Sequence, residues 1–422
     1  MLKRLMNRVC WAGILLSVWL NWGVPQALAA PFSNYSDEQQ LLLQAWRIVN
    51  QAYLDDSFNN QNWWFLRQRY LDRSYASRSE TYEAIRELLS SLDDPFTRLL
   101  EPSQYRNLQF STAGELTGVG LQININPESG QLEVVSPISG SPAEAAGLKP
   151  RDQILEIDGV ATQTLSLDEA AIRMRGPIGT EVVLNVLSPL SEAAAAPRDI
   201  TIRRDRITLS ALETRLQDGP NGSVGYLRLN QFTANAAEEM TTAITNLSEQ
   251  GAQGFVLDLR NNPGGLLTAG IDIARLWLDG GTVVYTVNRQ GMLDSFDDYT
   301  SASSDAPLVL LVNQGTASAS EILAGALQDN GRAVVVGEQT FGKGLIQSLF
   351  ELSDGAGLAV TVAKYETPAH HDINKLGITP DVVVPLTEVI TYADLGTELD
   401  VQYQQALEYL SYPAIAKLSS AN

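Results

Sequence analysis

Between residues 224 and 336 the chain alternates short, mostly apolar runs with longer stretches of helical spacing. The runs are Val224 to Leu229, Gly254 to Leu259, Leu308 to Val312 and Ala333 to Val336. Between them lie Ala236–Leu247, Leu267–Trp277 and Ala319–Gln328, whose apolar residues recur at helical intervals. A short run with no polar alternation suits a strand buried on both faces. An α/β core over residues 205–390 is therefore expected.

The flanks have other periodicities. From Ser36 to about Gln104 the spacing is helical. Ser36 stands as a cap before an apolar face at Leu42, Ala45, Trp46 and Val49, and Tyr82, Ile85, Leu88 and Leu89 repeat it before Asp93-Asp94-Pro95. Trp63 and Trp64 read as packing residues. Residues 106–204 change to short β runs and turns, with helices expected at Ser141-Pro142-Ala143-Glu144 and from Leu167 to about Arg175. Ser191 to Pro197 reads as a surface loop, and residues 391–422 end in a helix around Gln402–Leu410. The whole is a multi-domain α+β chain: helical region 30–105, β-rich domain 106–204, α/β core 205–390 and C-terminal segment 391–422. A length of 422 residues agrees with several cores.

The first 29 residues read as an export signal. Lys3, Arg4 and Arg8 precede an apolar stretch from Val9 to Leu20, and Ala27-Leu28-Ala29 supplies small residues for cleavage. Nothing after residue 30 is long and apolar enough to span a bilayer. An exported protein is expected, with membrane contact only peripheral.

Composition removes several chemistries. The single cysteine, Cys10, lies in the signal, so disulfides and thiol nucleophiles are excluded from the mature chain. The two histidines, His370 and His371, are adjacent and rarely could face one target, so no metal site is expected. A net charge of −20 without a basic cluster speaks against nucleic acid. No cofactor is expected.

Within the β-rich region, Gly118-Val119-Gly120-Leu121 precedes an alternating strand, and Ala-Gly-Leu-Lys-Pro-Arg-Asp-Gln-Ile-Leu-Glu-Ile-Asp-Gly ends at Gly159. Together these resemble a PDZ domain, with Arg151 where its signature commonly has Gly. The resemblance implies that residues 118–121 form a carboxylate-binding loop, and that a substrate tail adds as an extra strand. Glycines at 118 and 120 would let backbone N–H groups turn inward.

Candidate chemistry lies in the core. Ser318 stands between a buried strand and a helix, where helix N–H groups could support a developing oxyanion. Ser318-Ala-Ser-Glu321 also fits a helix-capping box, and such serines commonly do no more than cap. A nucleophilic serine needs a base, and without a suitable histidine the candidate is a desolvated lysine. Lys343 lies between Gly342 and Gly344, with Phe341 placed to exclude water. An ordinary surface lysine in a glycine-rich turn would look the same. Asp258-Leu-Arg-Asn-Asn-Pro-Gly-Gly265 is a strand ending in a sharp turn, either punctuation or a source of oxyanion N–H groups.

In this order, beside a PDZ-like unit, these segments resemble the C-terminal processing (tail-specific) peptidase family. The most specific parts are Thr-Ala-Ser-Ala-Ser-Glu-Ile-Leu-Ala-Gly-Ala-Leu-Gln-Asp-Asn and Gly-Glu-Gln-Thr-Phe-Gly-Lys-Gly-Leu-Ile-Gln. The resemblance implies a Ser318 nucleophile, a Lys343 general base, an orienting Gln347, oxyanion N–H groups from Gly264 and Ala319, and a supporting Asp329. The helical segments Leu-Leu-Leu-Gln-Ala-Trp-Arg-Ile-Val-Asn-Gln-Ala-Tyr, Phe-Asn-Asn-Gln-Asn-Trp-Trp and Leu-Asp-Asp-Pro-Phe-Thr-Arg-Leu-Leu-Glu-Pro resemble those of the processing peptidases of oxygenic phototrophs. That implies removal of a C-terminal extension from the photosystem II reaction-centre precursor, in the thylakoid lumen or periplasm. A degradative tail-specific protease and a non-catalytic PDZ assembly factor are the alternatives.

Overall fold

The computed structural model describes residues 35–411, apart from 127–128, 139, 189–195, 209, 292 and 387–390. The expected signal at 1–29 and most of the expected loop at 191–197 lie outside the described residues. Among the described residues, no helix is long and apolar enough to cross a membrane.

The apolar runs become one sheet. Its order is Leu212–Gly219, Gly222–Leu229, Gly254–Asp258, Leu308–Val312, Val334–Gly337 and Val382–Val383. The first two strands form an antiparallel hairpin, and the pairings after it are parallel. Alternate side chains leave opposite faces of each strand. Leu227, Leu229, Phe255, Leu257, Leu310, Val312 and Val335 pack against the helices Ala236–Glu249, Leu267–Trp277 and Ala319–Asp329. Tyr226, Val256, Val309, Leu311 and Val336 pack against Tyr403, Ala406 and Leu407 of helix Val401–Leu410. Both faces are covered, which is why these strands carry no polar alternation.

A second, antiparallel sheet was not visible in the apolar pattern. Strand Gly357–Glu366 sits between Arg98–Leu100 and Gly281–Asn288, the latter pairs with Leu293–Asp298, and Leu345–Glu351 also pairs with Gly357–Glu366. The N-terminal helices Asp37–Ala52, Trp63–Leu71 and Arg78–Ser90 pack on this sheet through Leu358 and Val360. The Ser36 cap forms as the sequence suggests: its Oγ accepts Gln39 N–H at 3.3 Å, and Gln39 Oε1 accepts Ser36 N–H at 2.9 Å. Trp63 is buried, but Trp64 is 64% exposed, resting edge-on against Trp46. Only one of the two tryptophans is therefore core.

The β-rich region forms a sheet ordered Leu121–Ile125, Leu132–Pro137, Gln153–Ile157, Glu181–Leu187 and Arg198–Arg203. The expected helix starts appear at Ser141, before Pro142–Ala145, and at Ser166, before Leu167–Met174. Architecture and element types together give the expected multi-domain α+β chain: a helical N-terminal region, a β-rich domain and an α/β core.

Candidate active site

Strand order explains why three distant motifs meet. Strands 254–258, 308–312 and 334–337 are neighbours and parallel, so the segments following them emerge at the same sheet edge. The first two turns are laced together. Asn261 N–H donates to Asn313 Oδ1 at 2.9 Å, and Thr316 Oγ1 donates to Leu259 O at 2.8 Å. The buried Asn262 carbonyl accepts Ala317 N–H at 3.0 Å and Ser320 Oγ at 3.0 Å.

Ser318 sits at φ 59° and ψ −118°, a left-handed backbone that a non-glycine residue adopts only when its surroundings impose it. Ser318 and Glu321 approach as a capping box does, yet the serine hydroxyl holds no cap hydrogen bond to the helix. The simple capping role thus leaves the hydroxyl uncommitted.

Glu321, fully buried, is occupied instead in joining two loops. Its Oε2 accepts the N–H groups of Ser318 (2.8 Å) and Lys343 (2.9 Å). Its Oε1 accepts Gly342 N–H at 2.7 Å and Thr340 Oγ1 at 2.6 Å. The buried Tyr365 hydroxyl closes the other side, 2.6 Å from Lys343 O and 3.1 Å from Ser318 O. Two side chains thereby hold the backbones of Ser318 and Lys343 in one frame. Sequence reasoning read Glu321 only as a cap and missed Tyr365; strand 357–366 carries no motif that points to residue 318.

Ser318, Ala319, Lys343, Gln347 and Gly264 line one cleft of about 460 Å³. Lys343 is half-buried, with Nζ 4.9 Å from the centroid of the Phe96 ring. Burial, then the nearby Arg98 charge, holds its amine below the usual lysine range, although Glu321 and Asp94 oppose the shift. Phe341 does not supply the expected cover, being 61% exposed; Phe96, from the helical region, takes that place. Gln347 Nε2 is buried and has no hydrogen-bond partner among the described residues, and the residue lines the cleft.

The oxyanion candidates differ from each other. Ala319 N–H begins the helix and donates to no described backbone acceptor. Gly264 N–H already donates to Asn262 Oδ1 at 2.9 Å, so it can serve a substrate only by leaving that partner. A Cβ at Gly264 would stand 2.7 Å from Ala317 O and 2.9 Å from Ala319 N, so a side chain there would break the contact between the two turns. Asp329 stands at the far end of helix 319–329, where its Oδ2 accepts Ala369 N–H at 2.9 Å; it does not line the cleft.

Gly118, Val119, Gly120 and Leu121 line a separate groove with Ile123, Ile138 and Met174, about 80 Å³ in volume. Gly120 (φ 80°) needs to be glycine, because a Cβ would lie 2.3 Å from Ser141 Cβ. At Gly118 the backbone is close to extended, and the tight neighbour of a Cβ would be Met174 O at 3.2 Å. The two glycines therefore serve different needs: a turn at 120, and close approach at 118.

A groove-bearing β-rich domain joined to a core in which a serine, a lysine of lowered pKa and the unengaged N–H of Ala319 line one cleft suits a peptidase. The model of peptidase family S41 matches residues 223–384, and that of the PDZ domain matches 107–187. A carboxyl-terminal-processing protease of Synechocystis sp. is 63% identical over 399 residues, covering 94% of this chain and 91% of that one. Carboxyl-terminal-processing peptidase 2, chloroplastic, of Arabidopsis thaliana is 46% identical over 368 residues, 84% of this chain and 70% of that one. The solved structure of a photosystem II D1 C-terminal processing protease is 42% identical, with a TM-score of 0.56, covering 88% of this chain and 98% of that one. The chain belongs to peptidase family S41, among the carboxyl-terminal-processing proteases. Its substrates are proteins.

Proposed function

We propose that Ser318 is the nucleophile and Lys343 the general base of an endopeptidase that removes C-terminal extensions. The carrying observation is that Ser318, Lys343, Gln347, Gly264 and Ala319, drawn from separate loops and strands, line one cleft. Neutral Lys343 Nζ takes the Ser318 hydroxyl proton as Oγ bonds to the scissile carbonyl carbon. Ala319 N–H, joined by Gly264 once it leaves Asn262, supports the oxyanion, and Gln347 orients the amine. The C–N bond then breaks, the leaving amine takes the proton from Lys343, and an ester to Ser318 remains. Water gives a proton to Lys343 as it attacks the ester carbonyl; the C–O bond to Ser318 then breaks, Lys343 returns the proton to Oγ, and the new carboxyl end is released.

The domain at 106–204 captures the substrate's terminal carboxylate at Gly118, Val119, Gly120 and Leu121, and the core at 205–390 cuts upstream of it. The substrate that fits best is the precursor of the photosystem II reaction-centre subunit, processed after export to the thylakoid lumen or periplasm. Support comes from the name of the 42% identical solved structure and from the chloroplast relative. The reaction draws on no cofactor. In the decisive experiment, mature enzyme is incubated with extended precursor and the products are identified by mass spectrometry. One trimmed tail is expected, with none from Ser318→Ala or Lys343→Ala. Substantial cleavage by either variant would remove the dyad, and many fragments would indicate degradation.

A further inference from the structure

The chain carries a net charge of −20, yet the cleft around Ser318 is lined by Arg98 and Lys343 and by no Asp or Glu. Nearby carboxylates are engaged elsewhere. Glu321 holds the four donors described above, and Asp94 accepts Phe96 N–H at 2.9 Å and Thr97 Oγ1 at 2.7 Å. Arg98 is exposed, and its guanidinium makes no ion pair or hydrogen bond among the described residues. Its direction is given by the lining: Phe96 and Arg98 both border the cleft, whereas Thr97 and Leu99 beside them are buried. Pairing of Arg98 with Ala359 anchors the backbone, and Ala359 lines the cleft too. A guanidinium carried on an anchored backbone thus opens on the cleft, with no counter-charge among the described residues.

We propose that Arg98 is a specificity-determining residue that pairs with a carboxylate of the substrate, within a few residues of the scissile bond. The inference rests on Ser318 being the nucleophile. An extended peptide advances about 3.3 Å per residue, so a group that reaches Arg98 from a chain seated on Ser318 belongs to the cut's near neighbours. Guanidinium is the suitable partner because it stays charged throughout the working pH range and offers carboxylates a two-pronged donor. The carboxylate is either an acidic side chain flanking the cut or the free end of a short tail.

The test uses full-length mature enzyme and a substrate series carrying Asp or Asn at each position flanking the cut, each with a free or an amidated C-terminus. The quantity read is the ratio of kcat/KM for each Asp/Asn or free/amidated pair. Arg98→Gln also alters the field at Lys343, but equally for both members of a pair, so the ratio isolates recognition. At least one pair should favour the carboxylate in the parent, and Arg98→Gln should reduce that preference by about three- to tenfold. Arg98→Lys should restore part of it and Arg98→Glu should reverse it. Response in an Asp/Asn pair assigns the side chain; response in the amidation pair assigns the terminus. Ratios unchanged by Arg98→Gln at every position would overturn the inference. Ser318→Ala is run in parallel: if it is inert while the ratios stay flat, only the role of Arg98 fails, whereas turnover by Ser318→Ala defeats the underlying site assignment.

Discussion

Changing Glu321 to Gln alters almost no volume, yet it should separate the loops that carry Ser318 and Lys343. Each carboxylate oxygen accepts two donors. An amide nitrogen at the Oε2 position would confront two N–H groups, those of Ser318 and Lys343. The less damaging orientation puts nitrogen at Oε1, where Thr340 Oγ1 can turn to accept but Gly342 N–H cannot. That leaves one buried N–H unsatisfied, about 1–3 kcal/mol, and weakens the two remaining bonds from charge-assisted to neutral, about 1 kcal/mol each. The sum is about 3–5 kcal/mol. Native-state hydrogen exchange reads it at the amides concerned: protection of Ser318, Gly342 and Lys343 should fall by roughly 10²–10⁴-fold. Tail cleavage should fall by at least tenfold, because a displacement on the order of 1 Å between nucleophile and base is costly. Unchanged protection at these three amides, with unchanged kcat, would refute the view that Glu321 holds the site together.

Two further outcomes follow from buried charge. Lys343 has a folded-state pKa below its unfolded value, so its burden on stability is fully present below the folded pKa and vanishes above the unfolded one. Lys343→Met should therefore raise the denaturation midpoint at neutral pH, with the gain fading as pH rises toward the ordinary lysine value. In the parent, kcat/KM should fall as pH drops through the folded pKa; a flat profile would contradict a lysine base. Asp400 accepts Arg260 Nη1 at 2.9 Å and Nη2 at 2.6 Å, both residues being almost wholly buried. Asp400→Ala leaves a guanidinium under-compensated and should destabilise the core by about 3–5 kcal/mol in urea unfolding; a change below about 1 kcal/mol would show that water reaches this pair.

Much of the fold was legible because burial on two faces leaves an unmistakable mark. Leu308–Val312 and Leu267–Trp277 have the bounds that apolar spacing suggested. Strand 357–366 and its partners were not legible, for they mix buried and half-exposed positions and pair residues far apart in sequence. The same limit applies at the site. Ser318, Lys343 and Gly264 stand in compact local motifs that offer them as candidates, and the resemblance of those motifs to a family, not residue type or spacing alone, implies their roles. Phe96, Arg98 and Tyr365 reach the cleft only through strand pairing and packing, which no local pattern encodes. Phe341 shows the converse error: proximity in sequence to Lys343 suggested shielding, but the backbone turns the ring outward.

Strand Arg98–Leu100 is a small element, but it hydrogen-bonds to strand 357–366, and the segment leading into it lays Phe96 over the amine of Lys343. The proposed site consequently draws on segments far apart in the polypeptide, Phe96 and Arg98 from one and Ser318, Lys343 and Tyr365 from others. A ribosome or translocon that has released only part of the chain holds an unfinished tool: Phe96 and Arg98 have emerged, but the serine, the amine and strand 357–366 are still missing. Excising residues 223–384 as a stand-alone fragment would leave the converse gap, the amine without its cover and the guanidinium gone. Incompleteness during synthesis is a safeguard for a protein whose purpose is to sever others.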